Sequence, residues 1–310
     1  MDFELTPDQR QLVDSIAHLV DRHRELPRFG ATVNPSFNHY DTKLERDLVD
    51  GDYFSIARAE GCGPLEAALL VLEVARSPGV VETAVSALVA PQLLAEDLPR
   101  PIAVARAADL QRPIRFLGQA RTLLIVDGAD VAVLPVDPAA VADSDAMYAY
   151  PFAHFLQPPD RSRARRLPGA GAKLECLWRV ALAAEAAGAI QHGLDFTVDY
   201  VKQRRMFGTV LGAYQAVQHR LAIISHQAQC LRWLALKAAW SGAEADAAIA
   251  ALYAQEAMPT VIYDLHQFNG GLGWTLEHGL HFWTYRLRAL QGEIGGPPAQ
   301  ARATVAAVWG

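Results

Sequence analysis

The stretch Arg204-Arg205-Met206-Phe207-Gly208-Thr209-Val210-Leu211-Gly212 separates two long runs of helical periodicity, and reading it as a short connection organises the rest of the chain. Upstream, Leu174 to Gln203 carries apolar residues at helical spacing. Downstream, Ala213 to Ser241 and then Ala243 to His266 do the same, and a fourth segment begins after Gly273 and runs to about Leu290. Long antiparallel helices with short connections predict a four-helix bundle.

Towards the N-terminus the pattern changes. Residues 158–171 read as a linker rich in Pro, Arg and Gly, with Arg161, Arg163, Arg165 and Arg166 as a solvated cluster. Before it stand four short β-rich runs: Ile102 to Ala105, Ile114 to Leu117, Leu123 to Val126 and Val131 to Leu134. Asp127-Gly128-Ala129-Asp130 predicts a hairpin turn between the last two. Pro99 and Pro101 mark the start of this small β unit. Ahead of it, helical pattern runs with breaks from about Asp41 to Leu94 and is strongest over Pro64 to Arg76. A loop holds Pro27, Gly30, Asn34 and Pro35. The opening helix is announced by Thr6 as N-cap, Pro7 at the first position and Gln9 completing a capping box, followed by Leu12, Val13, Ile16, Leu19 and Val20. The fold class expected is mainly α with a small β domain: an N-terminal helical domain over 1–98, a reduced β-domain over 99–165 and a helical bundle over 166–310.

Composition narrows the function. With 310 residues, 51% hydrophobic and 20% charged, the chain reads as globular. A net charge of −6 without a basic tail argues against nucleic acid as a partner. Cys62, Cys176 and Cys230 are scattered and form no CxxC pair, so they read as buried reduced thiols. No signal peptide is visible, because Asp2, Glu4, Asp8 and Arg10 interrupt the start. Leu65 to Ala75 contains Glu66 and Glu73 and is too short for a membrane span. A cytoplasmic location with no membrane contact is expected. Glu277, His278 and His281 share a helix face but lack a third metal ligand, so they read as a polar helix start. His219 and His226 read as packing or solvated, and Trp233 and Trp240 as core or subunit contact.

Three motifs in order resemble those of the acyl-CoA dehydrogenase family. Arg204 to Gly208 matches R-x-x-F-G, Ala213 to Ala222 resembles the helix that follows it, and Gln267-Phe268-Asn269-Gly270-Gly271-Leu272-Gly273-Trp274 matches Q-x-x-G-G-x-G-aromatic. Leu5 to Gln9 looks like that family's opening. The likeness spans nearly the whole chain and is strong from Ala181 to Trp283. It implies FAD as cofactor, shared across a subunit interface and held mainly by the neighbouring chain. Arg204 offers a permanently charged donor fork for the pyrophosphate. Gly270 and Gly271 allow close backbone approach. Gln215 and Gln267 can hydrogen-bond polar edges. By resemblance, Arg204, Phe207, Gln215, Gln267, Gly270 and Gly271 form this cross-interface set. The plain alternatives are Arg204 facing a helix dipole, Gly270-Gly271 as a C-cap and Phe207 as core packing.

In the family a Glu takes the α-proton of an acyl-CoA while FAD accepts the β-hydride. One position for that Glu lies about seven turns before the Arg of R-x-x-F-G. Here Trp178 stands there, and indole accepts no proton at neutral pH. The other position follows the glycine motif, where Gln291-Gly292-Glu293-Ile294-Gly295-Gly296 lacks the expected Gly-Thr context. Glu293 reads as an exposed helix-end carboxylate, and Glu175 and Glu185 as solvated or structural. No Trp-Ile-Thr-like flavin segment occurs between Pro99 and Pro158. The resemblance therefore implies a short, non-catalytic subunit of the heteromeric α2β2 enzymes of bacterial steroid side-chain breakdown. Its partner would be a longer subunit carrying the catalytic Glu, and its substrate an acyl-CoA, such as a steroid side-chain thioester, oxidised to the 2,3-enoyl-CoA. Two other readings stay open: a self-sufficient dehydrogenase using Glu293 or Glu175, and a scaffold homologue without flavin chemistry.

Overall fold

The computed structural model describes residues 4–26 and 39–310. The loop expected around Pro27, Gly30, Asn34 and Pro35 lies outside the described residues. Helix α1 (Pro7–Asp21) starts as its sequence dictates. Thr6 Oγ1 accepts from the Gln9 N–H at 3.2 Å, and Gln9 Oε1 accepts from the Thr6 N–H at 3.0 Å. Helix α2 (Thr42–Asp50) is capped by Asp41. Helix α3 (Pro64–Val74) is buried on all sides from Glu66 onward, because it lies between α1 and the bundle. A π-helical turn, Ala84–Val89, runs into α4 (Ala90–Leu93).

The middle unit contains β1 (Ile102–Arg106), β2 (Ile114–Arg115), β3 (Thr122–Asp127), β4 (Asp130–Pro135), β5 (Val141–Asp143), β6 (Phe152–Phe155) and β7 (Arg165–Leu167). One sheet runs β1-β3-β4-β7, with β1 and β3 parallel; the other runs β2-β6-β5. The predicted hairpin is present, with Asp127 paired to Asp130 across Gly128-Ala129. Alternation assigns the two faces of β3. Leu123 and Ile125 join the core between the sheets, while Leu124 and Val126 join the core shared with the helices.

Two expectations for this unit change. The run Ile114 to Leu117 is a strand only as far as Arg115, because Phe116 adopts φ 64° and turns the chain. The stretch 158–171 is not a free linker. β7 pairs with β4 across the division at 165/166, so the sheet closes at Leu167. Three of its four arginines are engaged: Arg161 with Asp127, Arg165 with Glu96, and Arg166 at 3.6 Å from both Asp127 and Asp130.

The C-terminal part comprises α5 (Gly171–Gln203), the small hairpin β8 (Arg205–Met206) and β9 (Thr209–Val210), α6 (Gln215–Ser241), α7 (Glu244–Asn269), α8 (His281–Gly292) and α9 (Gly296–Trp309). α5 to α8 are the four expected helices, and α9 adds a further helix against α7. The main core joins these helices to α3 without a break. The closest approach is at Gly188 of α5, where a Cβ would lie 2.1 Å from the Leu72 carbonyl oxygen and 2.9 Å from Ala75 Cβ. Backbone cannot yield there as a flexible side chain would. Among the described residues no helix is long and apolar enough to cross a membrane. Gly188→Ala is expected to lower stability by about 1–3 kcal/mol through overpacking; a urea unfolding midpoint unchanged from wild type would contradict that close contact.

Candidate functional site

α5 and α6 are antiparallel across the β8–β9 hairpin, and α6 and α7 are antiparallel in turn. The end of α5, the start of α6 and the end of α7 therefore meet at one end of the bundle. Asn269 Nδ2 donates to Thr197 Oγ1 at 2.9 Å, and Arg220 pairs with Asp264, so α7 is fastened to both neighbours there. All six residues expected to face a cofactor lie at this end. Phe207 (φ 50°) and Gly208 (φ 86°) form the hairpin tip. Phe207 is 90% exposed, which removes the core-packing alternative. Tyr214 Oη donates to the Met206 carbonyl at 3.1 Å and braces the hairpin.

Arg204 is the exposed C-cap of α5, and its guanidinium has no ion pair or hydrogen bond among the described residues. The exposed amides of Gln215 and Gln267 are equally unengaged. Gly270 caps α7 as the alternative reading held, but with φ 60° and ψ −150°, a region that glycine alone enters readily. A Cβ on Gly270 or Gly271 would meet nothing within 4 Å, so both face open space.

A second cluster lies buried where β2 meets the bundle. Arg115 Nη1 and Nη2 donate to Glu185 at 2.7 and 2.9 Å, and Arg115 Nε donates to Glu293 Oε1 at 2.6 Å. Trp178 Nε1 donates to Glu293 Oε2 at 3.3 Å, and Tyr150 Oη to Glu185 at 3.4 Å. Glu293 reaches this cluster because Ile294, Gly295 and Gly296 all take positive φ (53°, 82° and 68°) and reverse the chain between α8 and α9. Its side chain is 14% exposed, so the expected exposed helix-end carboxylate is in fact a buried ion-pair member. Burial pushes the Glu293 carboxyl up and Arg115 opposes this, while Glu185 adds a second negative charge. Glu293 and Trp178 border a cavity of about 520 Å³, lined also by Ile102, Phe116 and Phe152. Glu175 accepts from Arg106 at 2.8 Å and from Arg179 at 3.2 Å, and Glu185 is buried. Both carboxylates are engaged in ion pairs.

Residues 177–308 match the sequence model described as acyl-CoA dehydrogenase, C-terminal domain. Acyl-CoA dehydrogenase IpdE2 of Mycobacterium tuberculosis is 26% identical across 98% of this chain and 98% of its own length. Acyl-CoA dehydrogenase FadE34 of the same organism is 36% identical over 41% of this chain and 19% of its own length. Among solved structures, the ChsE4-ChsE5 complex from Mycobacterium tuberculosis superimposes with a TM-score of 0.76 at 21% identity, over 97% of both chains. Residues 177–308 therefore carry an acyl-CoA dehydrogenase C-terminal domain, and the whole chain shares that fold. The matched region contains both the exposed wall and the two positions, Trp178 and Glu293, at which the family's base was sought.

Within this acyl-CoA dehydrogenase fold, the residue that sequence reasoning missed is Arg115. Its partners stand 70 and 178 positions away, and no local pattern signals them. Arg115→Met would strand two buried carboxylates and should cost about 3–5 kcal/mol. Adding Glu185→Gln and Glu293→Gln should return part of that loss, and urea unfolding of the three variants checks this non-additivity.

The seam of α5, α7 and α8 also holds neutral histidines. His192 stacks on Trp283 at 4.2 Å, and burial with Arg76 and Arg286 lowers its pKa to about 4. Burial likewise lowers His281 to about 4. Both groups are neutral when folded and protonate near 6.5 when unfolded. Their contribution is present above that value and is lost as pH falls from 6.5 towards 4. Unfolding midpoints measured from pH 8 to pH 4 should drop most steeply in that window, and His192→Phe should flatten the slope.

Proposed function

We propose that this chain is a short, non-catalytic subunit of a heteromeric FAD-dependent acyl-CoA dehydrogenase, supplying one wall of a flavin site whose ring and catalytic Glu belong to a longer subunit. The observation that carries this reading is a split along α5. At its end Arg204, Phe207, Gln215, Gln267, Gly270 and Gly271 are exposed, and the side chains of Arg204, Gln215 and Gln267 have no partner among the described residues. Near its start Trp178 occupies one base position, and the nearby Glu293 is taken up by Arg115. Trp178 and Arg204 are 26 residues apart on one helix, about 39 Å at 1.5 Å per residue. A cofactor seated on the wall is thus remote from this chain's own cleft.

The residues fit the cofactor's chemistry. Arg204 has an unpaired guanidinium for a pyrophosphate oxygen. The Cβ-free space outside Gly270 and Gly271 lets backbone N–H groups approach it. Gln215 and Gln267 supply amides for its polar edges, and Phe207 an apolar face against the partner. Bound there, FAD supplies the two-electron acceptor for α,β-desaturation. This chain's part is to bind and orient it and to exclude water. The steroid substrate class is favoured by the fold shared with the Tcur3481-Tcur3483 steroid ACAD G363A variant, with a TM-score of 0.75 over 97% of both chains. CoA thioester chemistry and three free cysteines suit the cytoplasm.

Co-expression with the longer acyl-CoA dehydrogenase subunit of its own organism should yield a yellow heteromer. Arg204→Ala should weaken FAD binding by that heteromer roughly ten- to hundredfold, the worth of a charged hydrogen bond. Stoichiometric flavin and dye-reducing acyl-CoA oxidation by the isolated chain would overturn the proposal in favour of the self-sufficient reading.

A further inference from the structure

The Gly270–Trp274 turn carries the two glycines of the wall, yet little in its own sequence restricts its backbone. What holds it lies beneath. His266, in the last turn of α7, is buried, and its Nδ1 lies 3.0 Å from the Gly273 carbonyl oxygen. Its Nε2 lies 3.0 Å from Thr284 Oγ1 on α8. A carbonyl only accepts, so Nδ1 carries the proton; Nε2 of the neutral ring is then an acceptor facing the Thr284 hydroxyl, which also reaches the Leu280 carbonyl at 3.3 Å. The ring stacks on Trp274 with centroids 4.6 Å apart and planes at 27°. Burial and the charge of Arg288 favour the neutral form. Asn269, also buried, donates to Thr197 Oγ1 and to the Leu265 carbonyl. A Cβ on Gly273 would lie 2.7 Å from Asn269 Cβ and 3.8 Å from His266 Nδ1. Gly273 is therefore required by packing against this anchor, whereas Gly270 is required by its φ.

We infer that His266 is a positioning residue: by donating to Gly273, whose carbonyl fixes its tautomer, and stacking on Trp274, it holds Gly270–Trp274 in the one shape that turns Gly270 and Gly271 outward beside Gln267. The anchor stands on the geometry alone; its importance for FAD rests on the proposed function. The turn is hinged at Gly270, where φ is permissive, and closed at Gly273. Removing the closure leaves a glycine-rich segment whose ordering must then be supplied by the ligand.

Three measurements test this. In the ¹⁵N spectrum of the native chain, His266 should show the Nδ1–H tautomer; the Nε2–H tautomer would overturn the inference without any mutation. Hydrogen exchange over residues 270–274 should accelerate in His266→Phe, which keeps a ring against Trp274 but has no donor. His266→Asn, which can place an amide N–H near Nδ1, should stay close to wild type. In the heteromer, His266→Phe should raise the FAD dissociation constant about tenfold, and His266→Asn less than threefold, with kcat unchanged for both at saturating FAD. Equal exchange and affinity in His266→Phe and wild type, or equal losses in the Phe and Asn variants, would sink the positioning role. If His266→Phe loosens the turn while Arg204→Ala leaves FAD binding unchanged, the anchor holds and the flavin reading fails. If Arg204→Ala weakens FAD and His266→Phe changes nothing, the flavin reading holds and the anchor fails.

Discussion

The guanidinium of Arg115 is the contact on which the arrangement turns. It sits on β2 and binds Glu185 of α5 and Glu293 of the α8–α9 turn, three elements far apart in sequence. A buried charge is tolerated only when its donors are matched, and here all three guanidinium nitrogens meet carboxylate oxygens. The rings of Tyr150 and Phe116 lie 4.6 and 5.1 Å from its centre. Apolar contact alone could let the β unit slide over the bundle. This ion pair fixes one register, because any shift strands charges away from water.

The same contact removes a chemical option. The Glu293 carboxylate accepts two donations from Arg115 and one from Trp178, and Arg115 stabilises its charged form against the upward push of burial. On the proposed reading, taking a proton from carbon would weaken the link that seats the β unit, because protonation removes the charge that Arg115 pairs. By the same reading, fold stability and self-sufficient catalysis compete for one side chain, Glu293, and its ion pair with Arg115 favours stability. The residue at the other base position, Trp178, reinforces the outcome by donating to the same carboxylate.

Much of this fold is legible from local sequence. The capping box at Thr6 and Gln9, the Asp127–Asp130 hairpin and the long helices from Gly171 to Asn269 each arise from interactions within a few residues, where propensity and periodicity act. The exposed wall was legible for a related reason, since its residues cluster at two helix ends and a hairpin. What escaped is long-range. β7 looks like linker because its strand character comes from pairing with β4 and from acidic partners at Asp127 and Asp130. Glu293 looks like a solvated helix end until the positive φ of Ile294 and the position of Arg115 are known. β-branched residues seldom adopt that φ, so nothing in the sequence announces the turn inward.

The wall itself has a composition that neither solvent nor a cofactor alone would satisfy. Phe207 and Trp274, 90% and 73% exposed, sit among an arginine and two amides that have no partner among the described residues. Apolar side chains held out on a braced hairpin and an anchored turn gain by being covered, and a cation gains by meeting an anion. The proposed function meets both needs together, with a second polypeptide bringing a phosphate-bearing cofactor against this end of the bundle. The bracing matters to that encounter. Tyr214 fixes the hairpin and His266 fixes the turn before any ligand arrives, so the ordering cost is borne by folding and not by binding. A surface that is rigid, partly apolar and electrostatically incomplete is what one half of a shared site requires. Under the proposed function, the ion pair at the far end of α5 occupies Glu293 and leaves the other half of the site to the partner.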